Sequence, residues 1–200
     1  YNKTHIPYVQ TSFPKSRVGY LYADYFWNNF MNFKELDSYD QLIRIDDDSW
    51  FKDKIDFNIF EKMKESNKLC GCGYTWNYVH HRVLDTRMTF YNWIKKYVKK
   101  YNVDVKNKTL KKCLEEGEND IIDNRKCNKE FHTMKFTCGN FNIYNRKMFE
   151  SSEWKQYNKE FNDSGGLFKY RWTDCEIMTL FYYLHMGESF LDLKLKEQGI

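Results

Sequence analysis

Leu42 to Phe51, LIRIDDDSWF, constrains the fold more than any other stretch of the chain. Leu42, Ile43, Arg44 and Ile45 alternate apolar and polar side chains, the period expected of a buried strand. The strand runs straight into Asp46, Asp47 and Asp48 and then into the aromatic pair Trp50-Phe51. Adjacent carboxylates repel one another, so gathering them costs energy unless a cation or several donors sit among them. A hard divalent ion such as Mg²⁺ or Mn²⁺ takes oxygen ligands and bridges well to a diphosphate. The same triplet also reads as a solvated acidic turn, or as an Asp cap of a short helix. Taken alone it does not decide between them.

A length of 200 residues suits one domain with a sizeable core. Aromatic residues make up 19% of the chain, enough to bury large areas and to exclude wholesale disorder. Tyr and Trp also offer faces on which sugar rings stack. The net charge is +4 with Lys and Glu interspersed, so no concentrated basic face for nucleic acid is expected. No apolar run approaches membrane-spanning length, and no signal-peptide pattern is present. The chain opens abruptly on Tyr1, so a targeting region is expected to lie outside it.

None of the six cysteines sits in a CxxC arrangement, which argues against a zinc site. Cys113 and Cys127 flank a polar, acidic insert and could staple it in an oxidising compartment. Sequons at Asn2, Asn107 and Asn162 are compatible with a secretory lumen, although a chain rich in Asn and Lys also makes them by chance.

Strands and helices alternate along the chain, which places it in the α/β class. Tyr20 to Phe33 is aromatic throughout and is expected to pack against the strand at Leu42. Phe57 to Ser66 reads as a short helix with Asp56 as its cap. Leu69 to Val79 reads as a strand with a bend, where Gly71 and Gly73 permit close backbone approach. The spacing of Tyr91, Ile94, Val98 and Tyr101 predicts a helix from about Thr86 to Tyr101, with lysines on another face. Asn102 to Lys129 is read as a loop or insertion. Thr133 to Asn145 breaks at Gly139 and gives two strands or one bulged strand. Ser151 to Phe161 is a helix capped by Ser151 or Ser152, with Trp154, Tyr157 and Phe161 inward. A turn at Gly165-Gly166 leads to Arg171-Trp172-Thr173-Asp174. A last helix follows with Ile177, Leu180, Phe181 and Leu184 on one face, then a strand within Ser189 to Leu195. Asp174 also reads as the N-cap of that helix. His185 reads as a half-buried, satisfied side chain.

Asp163 to Asp174, DSGGLFKYRWTD, the strand-plus-acid stretch from Tyr39 to Phe51, and Gly139-Asn140-Phe141-Asn142-Ile143 keep their order and spacing together. In this they resemble the fungal Golgi α-1,2-mannosyltransferases, whose segments run Ser-Gly-Gly to Arg-Trp-x-Asp, Arg-Val-Glu-Pro-Asp, and Asn-Phe-Glu-Ile. The resemblance covers the chain from about Tyr20 onward. It implies a GT-A-like glycosyltransferase domain, a mixed central sheet flanked by helices, filling residues 1–200 as one catalytic domain. About 45 residues precede the Asp triplet, so the chain is expected to be a segment lacking the nucleotide-binding N-terminal portion.

The implied activity is transfer of mannose from GDP-mannose to a glycan hydroxyl with retention, using Mn²⁺ or Mg²⁺. Its acceptor would be a glycan or glycoprotein, its place the Golgi or another secretory lumen, and its membrane anchor a segment outside this chain. In that frame Asp46 and Asp48 take the metal-site (DXD-like) positions, and Asp174 and Asn142 the catalytic ones. Tyr20 falls near the acceptor tyrosine, and Arg171, Gly165, Gly166 and Tyr74 border substrate. Arg44 is read as packing or pairing.

Two departures count against simple transfer of the family's chemistry. Asn142 stands where the family has its proposed nucleophilic glutamate, and an amide cannot form a glycosyl ester. Tyr25 stands where the family has an arginine. Strand alternation would turn Asn140, Asn142 and Tyr144 toward a cleft and Phe141 and Ile143 into the core. The alternative is a catalytically silent relative that binds glycan or protein.

Overall fold

A four-stranded mixed sheet organises the structure, in the order β1-β5-β2-β6. The computed structural model describes residues 29–30, 33–47, 49–51, 54–77, 84–116, 134–137, 140–170, 172, 174–187 and 189–195. β1 is Gln41–Ile45 and pairs antiparallel with β5, Phe141–Asn145, placing Arg44 opposite Asn142. β5 pairs antiparallel with β2, Cys70–Cys72, and β2 pairs parallel with β6, Leu191–Asp192. The inner positions therefore belong to β5 and β2, and β1 stands at the end of the strand order with β5 as its neighbour. The expectation of a buried strand at Leu42 is corrected accordingly: its residues are half-buried and Ile45 is exposed.

Gly71 sits where β2 is squeezed between β5 and β6. A β-carbon there would lie 3.0 Å from both the Ile143 side chain and the Leu191 carbonyl. Just beyond it the chain leaves this sheet and forms β3, Thr75–Asn77, which pairs with β4, Lys135–Thr137, in a second sheet. The bend read at Leu69–Val79 and the break read at Thr133–Asn145 are thus the same event. Both segments change sheets.

Helices cover the sheet unevenly. α1, Ile59–Glu65, is capped by Asn58, whose Oδ1 accepts from the N–H groups of Phe60 and Glu61. Asp56, the expected cap, lies too far upstream, because the cap must directly precede the first helical residue. Met63 of α1 joins Phe141, Ile143 and Leu193 in a small cluster on one face of the sheet. The other face carries the main core, built from α2 (Leu84–Tyr101), α5 (Ser152–Ser164) and α7 (Asp174–His185). The short α4, Arg146–Glu150, and α6, Gly166–Tyr170, complete that layer. Phe30 reaches it from the aromatic N-terminal stretch and meets Phe149 edge-on.

The buried face of α2 is wider than the heptad-like spacing predicts, because Phe90 and Tyr97 join Tyr91 and Ile94. α5 starts at the Ser151 cap, whose hydroxyl accepts from the Trp154 N–H, and turns Trp154, Tyr157 and Phe161 inward as expected. α7 is buried from Glu176 to Leu184 on every side. An apolar stripe is the mark of a surface helix, whereas all-round burial marks a helix inside the core.

Part of the segment read as a loop is helical: Lys108–Glu116 forms α3. Asn107 caps it by accepting from the Leu110 N–H at 2.8 Å. The N–H groups of Lys106 and Asn107 bond the Leu184 and Tyr183 carbonyls, satisfying the otherwise open end of α7. Asn107 is buried, so a glycan at that sequon and the folded cap exclude each other. Cys113 is buried on α3, and Cys127 lies outside the described residues.

α5 ends at Gly165, whose φ of 64° is the left-handed conformation that glycine adopts without penalty. Gly166 is restricted by packing instead. A β-carbon there would fall 2.1 Å from the Trp172 ring, which is itself 1% exposed and cannot swing away. Gly166→Ala is expected to destabilise the fold by about 1–3 kcal/mol, the usual cost of overpacking, measured by urea denaturation. An unchanged midpoint would show that the indole can move.

His185 closes α7 among Tyr97, Tyr157 and Phe181, with its Nε2 3.3 Å from the Tyr97 hydroxyl. Burial pushes its pKa down to about 4, so the folded state holds a neutral ring. In the unfolded chain the ring titrates near 6.5. The unfolded state therefore binds the extra proton in between, and this contribution is present above about pH 6.5 and lost as pH falls toward 4. Stability measured from pH 7 to 4 should decline across that window, and His185→Phe should flatten the decline.

Candidate active site

Strand directions gather the chemistry at one end of the main sheet. β1, β2 and β6 all finish there, and β5 begins there. This is the carboxyl edge at which α/β proteins commonly place ligands. Asp46 follows β1, Tyr74 follows β2, and Asn140 precedes β5. The Asp46 N–H bonds the Asn140 carbonyl, and the Ser49 N–H bonds the Asp46 carbonyl, so the chain turns back just after Asp46. The Asn140 side-chain amide donates to the Ser49 hydroxyl and ties that turn to β5.

Asp174 reaches the same place from the first residue of α7. Its Oδ1 accepts from the Cys175 N–H, and its Oδ2 accepts from Arg44 Nη1. Arg44 Nη2 donates to Asp46 Oδ1 at 2.8 Å. One guanidinium thus joins two carboxylates that are far apart in sequence. Burial by itself works against the Arg44 charge, but Asp174 and then Asp46 outweigh it and hold its pKa above the ordinary value. Below this group lies Tyr144, whose hydroxyl burial pushes well up and keeps protonated.

Asn142 sits in β5 directly across from Arg44, on the face that carries the main core. It is 2% exposed, so it does not line an open cleft, which corrects the orientation expected from strand alternation. Both faces of β5 are covered: Tyr144 enters the main core while Phe141 and Ile143 enter the smaller cluster. Alternation predicts which residues share a face, and packing decides whether that face is open.

Tyr74 is half-buried at this end of the sheet. Gly165 and Gly166 form the expected turn, but Gly166 packs against the aromatic core at Trp172. Tyr20, Asp48 and Arg171 lie outside the described residues. Among the described residues no group of three His, Cys, Asp or Glu side chains converges as a metal site. Asp46 offers the hard oxygen chemistry that Mn²⁺ or Mg²⁺ requires, and the cation placed against it here is Arg44. Arg44 pairs, as expected of it, and it does so with Asp46 and Asp174 at once. The available signal was parity: it shares a strand face with Leu42, so its charge had to be paired or exposed.

A family model described as glycolipid 2-alpha-mannosyltransferase matches residues 14–191. Mannosyltransferase KTR6 of Saccharomyces cerevisiae is 23% identical over 165 residues, which is 82% of this chain and 34% of that protein. The crystal structure of core-mannan synthase A (CmsA/Ktr4) from Aspergillus fumigatus in its Mn/GDP form superposes with a TM-score of 0.65 at 17% identity, covering 84% of this chain and 44% of that one. The mannosyltransferase Ktr4p from S. cerevisiae gives 0.66 at 16% identity, covering 86% of this chain and 43% of that one. At such identities the structures establish a shared fold, and the chain spans less than half the length of each of these relatives. The match to the family model over most of its residues places this chain in the glycolipid 2-alpha-mannosyltransferase family.

Proposed function

We propose that this chain is the part of a GT-A-like mannosyltransferase catalytic domain that holds the metal and the acceptor, and that the complete protein moves mannose from GDP-mannose to a glycan hydroxyl with retention. The observation that carries the reading is the meeting of Asp46 and Asp174 at the carboxyl edge of the sheet, through an Arg44 that lies 130 residues before Asp174 in the sequence. The Mn/GDP form of the related CmsA/Ktr4 structure supports the choice of cation and nucleotide.

Asp46, together with Asp48 two residues on in the sequence, would hold Mn²⁺ or Mg²⁺. When bound, that ion neutralises the charge that grows on the leaving diphosphate. Asp174, held by Arg44 and partly exposed, would orient the acceptor hydroxyl and take up its proton. Asn142 cannot carry a covalent glycosyl intermediate, so retention would proceed by same-face attack, with the closed-in amide supporting the strand beneath Arg44. Tyr20 and Tyr74 would stack on sugar rings, Arg171 would meet phosphate, and the Gly165-Gly166 turn would serve substrate only indirectly, by letting Trp172 pack ahead of Asp174. The proposed setting is the Golgi or a related lumen. No helix among the described residues is long and apolar enough to cross a membrane.

Transfer should be assayed in the full-length protein with GDP-mannose, Mn²⁺ and a mannoside acceptor. Asp48→Ala is expected to abolish Mn²⁺-dependent donor binding, read by calorimetry. Asn142→Ala should weaken turnover without abolishing it, because Asn142 is closed in opposite Arg44 and would act by steadying that strand pair, not by touching the sugar. If wild type is inactive and Asn142→Glu alone creates transfer, the silent glycan- or protein-binding module replaces the enzyme reading.

A further inference from the structure

The Arg44 guanidinium is shared between two acceptors. Nη2 points to Asp46 Oδ1 and Nη1 to Asp174 Oδ2. The three side chains are only 25%, 30% and 22% exposed, so solvent screens them less than it would a surface pair. The fork is held from behind as well. Arg44 is in register with Asn142 in the continuous β1–β5 ladder, which fixes where its side chain starts. A planar guanidinium can satisfy two separated carboxylates in one orientation, whereas an ammonium is a point charge that follows whichever is nearer.

We propose that Arg44 is a positioning residue, an internal counter-ion that holds Asp174 in place relative to Asp46 and limits how strongly the acidic end of β1 attracts a divalent cation. The inference rests on the roles given above to Asp46 and Asp174. Its two consequences have opposite signs. Removing the positive charge leaves both carboxylates unneutralised, so a cation binds Asp46 more tightly. Removing the fork frees Asp174, so turnover falls. An arginine that merely supported the fold would weaken both together.

The test compares wild type with Arg44→Gln and Arg44→Lys in the full chain. Mn²⁺ binding is followed by the loss of the free-ion electron paramagnetic resonance signal, and transfer by steady-state kinetics. Arg44→Gln is expected to bind Mn²⁺ roughly tenfold more tightly, the scale of one unit charge a few ångströms away. Its kcat should fall roughly tenfold or more, with KM for GDP-mannose little changed. Arg44→Lys should keep wild-type Mn²⁺ affinity and an unchanged Tm, and still lose part of kcat. Unchanged Mn²⁺ affinity and kcat in Arg44→Gln overturn the inference, as does a joint fall in affinity, kcat and Tm. Should Arg44→Gln fail to fold, a fully active Arg44→Lys overturns it and a kcat loss at constant Tm upholds it. A wild type without Mn²⁺-dependent GDP binding rejects the proposed function and this inference together. A working wild type beside an indifferent Arg44→Gln rejects this inference alone.

Discussion

Trp172 is the contact on which the placement of Asp174 depends. Its ring lies against Gly166, Phe90, Trp93 and Phe161, and its indole N–H donates to the Thr89 hydroxyl at 3.0 Å. One side chain therefore fastens α2, α5 and α6 to the entrance of α7. Asp174 follows two residues later, so the rigidity of the aromatic core is passed directly to a carboxylate at the edge of the sheet. A ring this size has few orientations in a close-packed interior, and small displacements are resisted by all its neighbours.

α7 transmits that order along its length. Tyr157 donates to the Ile177 carbonyl, Thr179 receives the Thr137 N–H, and Tyr183 donates to the Lys135 carbonyl. These bonds tie the helix to α5 and to the second sheet, which begins where β2 leaves the first. Such a buried helix cannot shift without breaking several satisfied polar contacts. The acidic turn is held differently. It depends on two backbone bonds, the Asn140 amide and Arg44, at an edge where the strands end and water is near.

The two faces of the sheet have unequal cover. The main core spans the helical layer, whereas the second face has the small cluster around Met63 and Ile143, bordered by exposed Ile45, Trp50, Phe51 and Phe60. Local pattern reading handled the first face well, because helix periodicity reports burial directly. The positions of Trp154, Tyr157, Phe161, Ile177, Leu180, Phe181 and Leu184 all follow from it. It failed at α3, where a polar, lysine-rich composition hid an amphipathic helix started by the buried cap Asn107. It also misplaced the cap of α1, since Asp56 and Asn58 have equivalent chemistry and only the backbone path separates them.

By itself the sequence determined the α/β class, the strand that ends in acids, the glycine turn before Trp172 and the family pattern, because each is a local matter of period, spacing or residue type. Only the tertiary structure decided that β5 rather than β1 is an inner strand, that Asn142 is closed in, and that Arg44 joins Asp46 to Asp174. Strand order and side-chain access depend on what packs from distant parts of the chain, and a contact across 130 residues has no period to betray it. The charge on Arg44 announced that a partner was needed. The fold chose which two carboxylates would supply it.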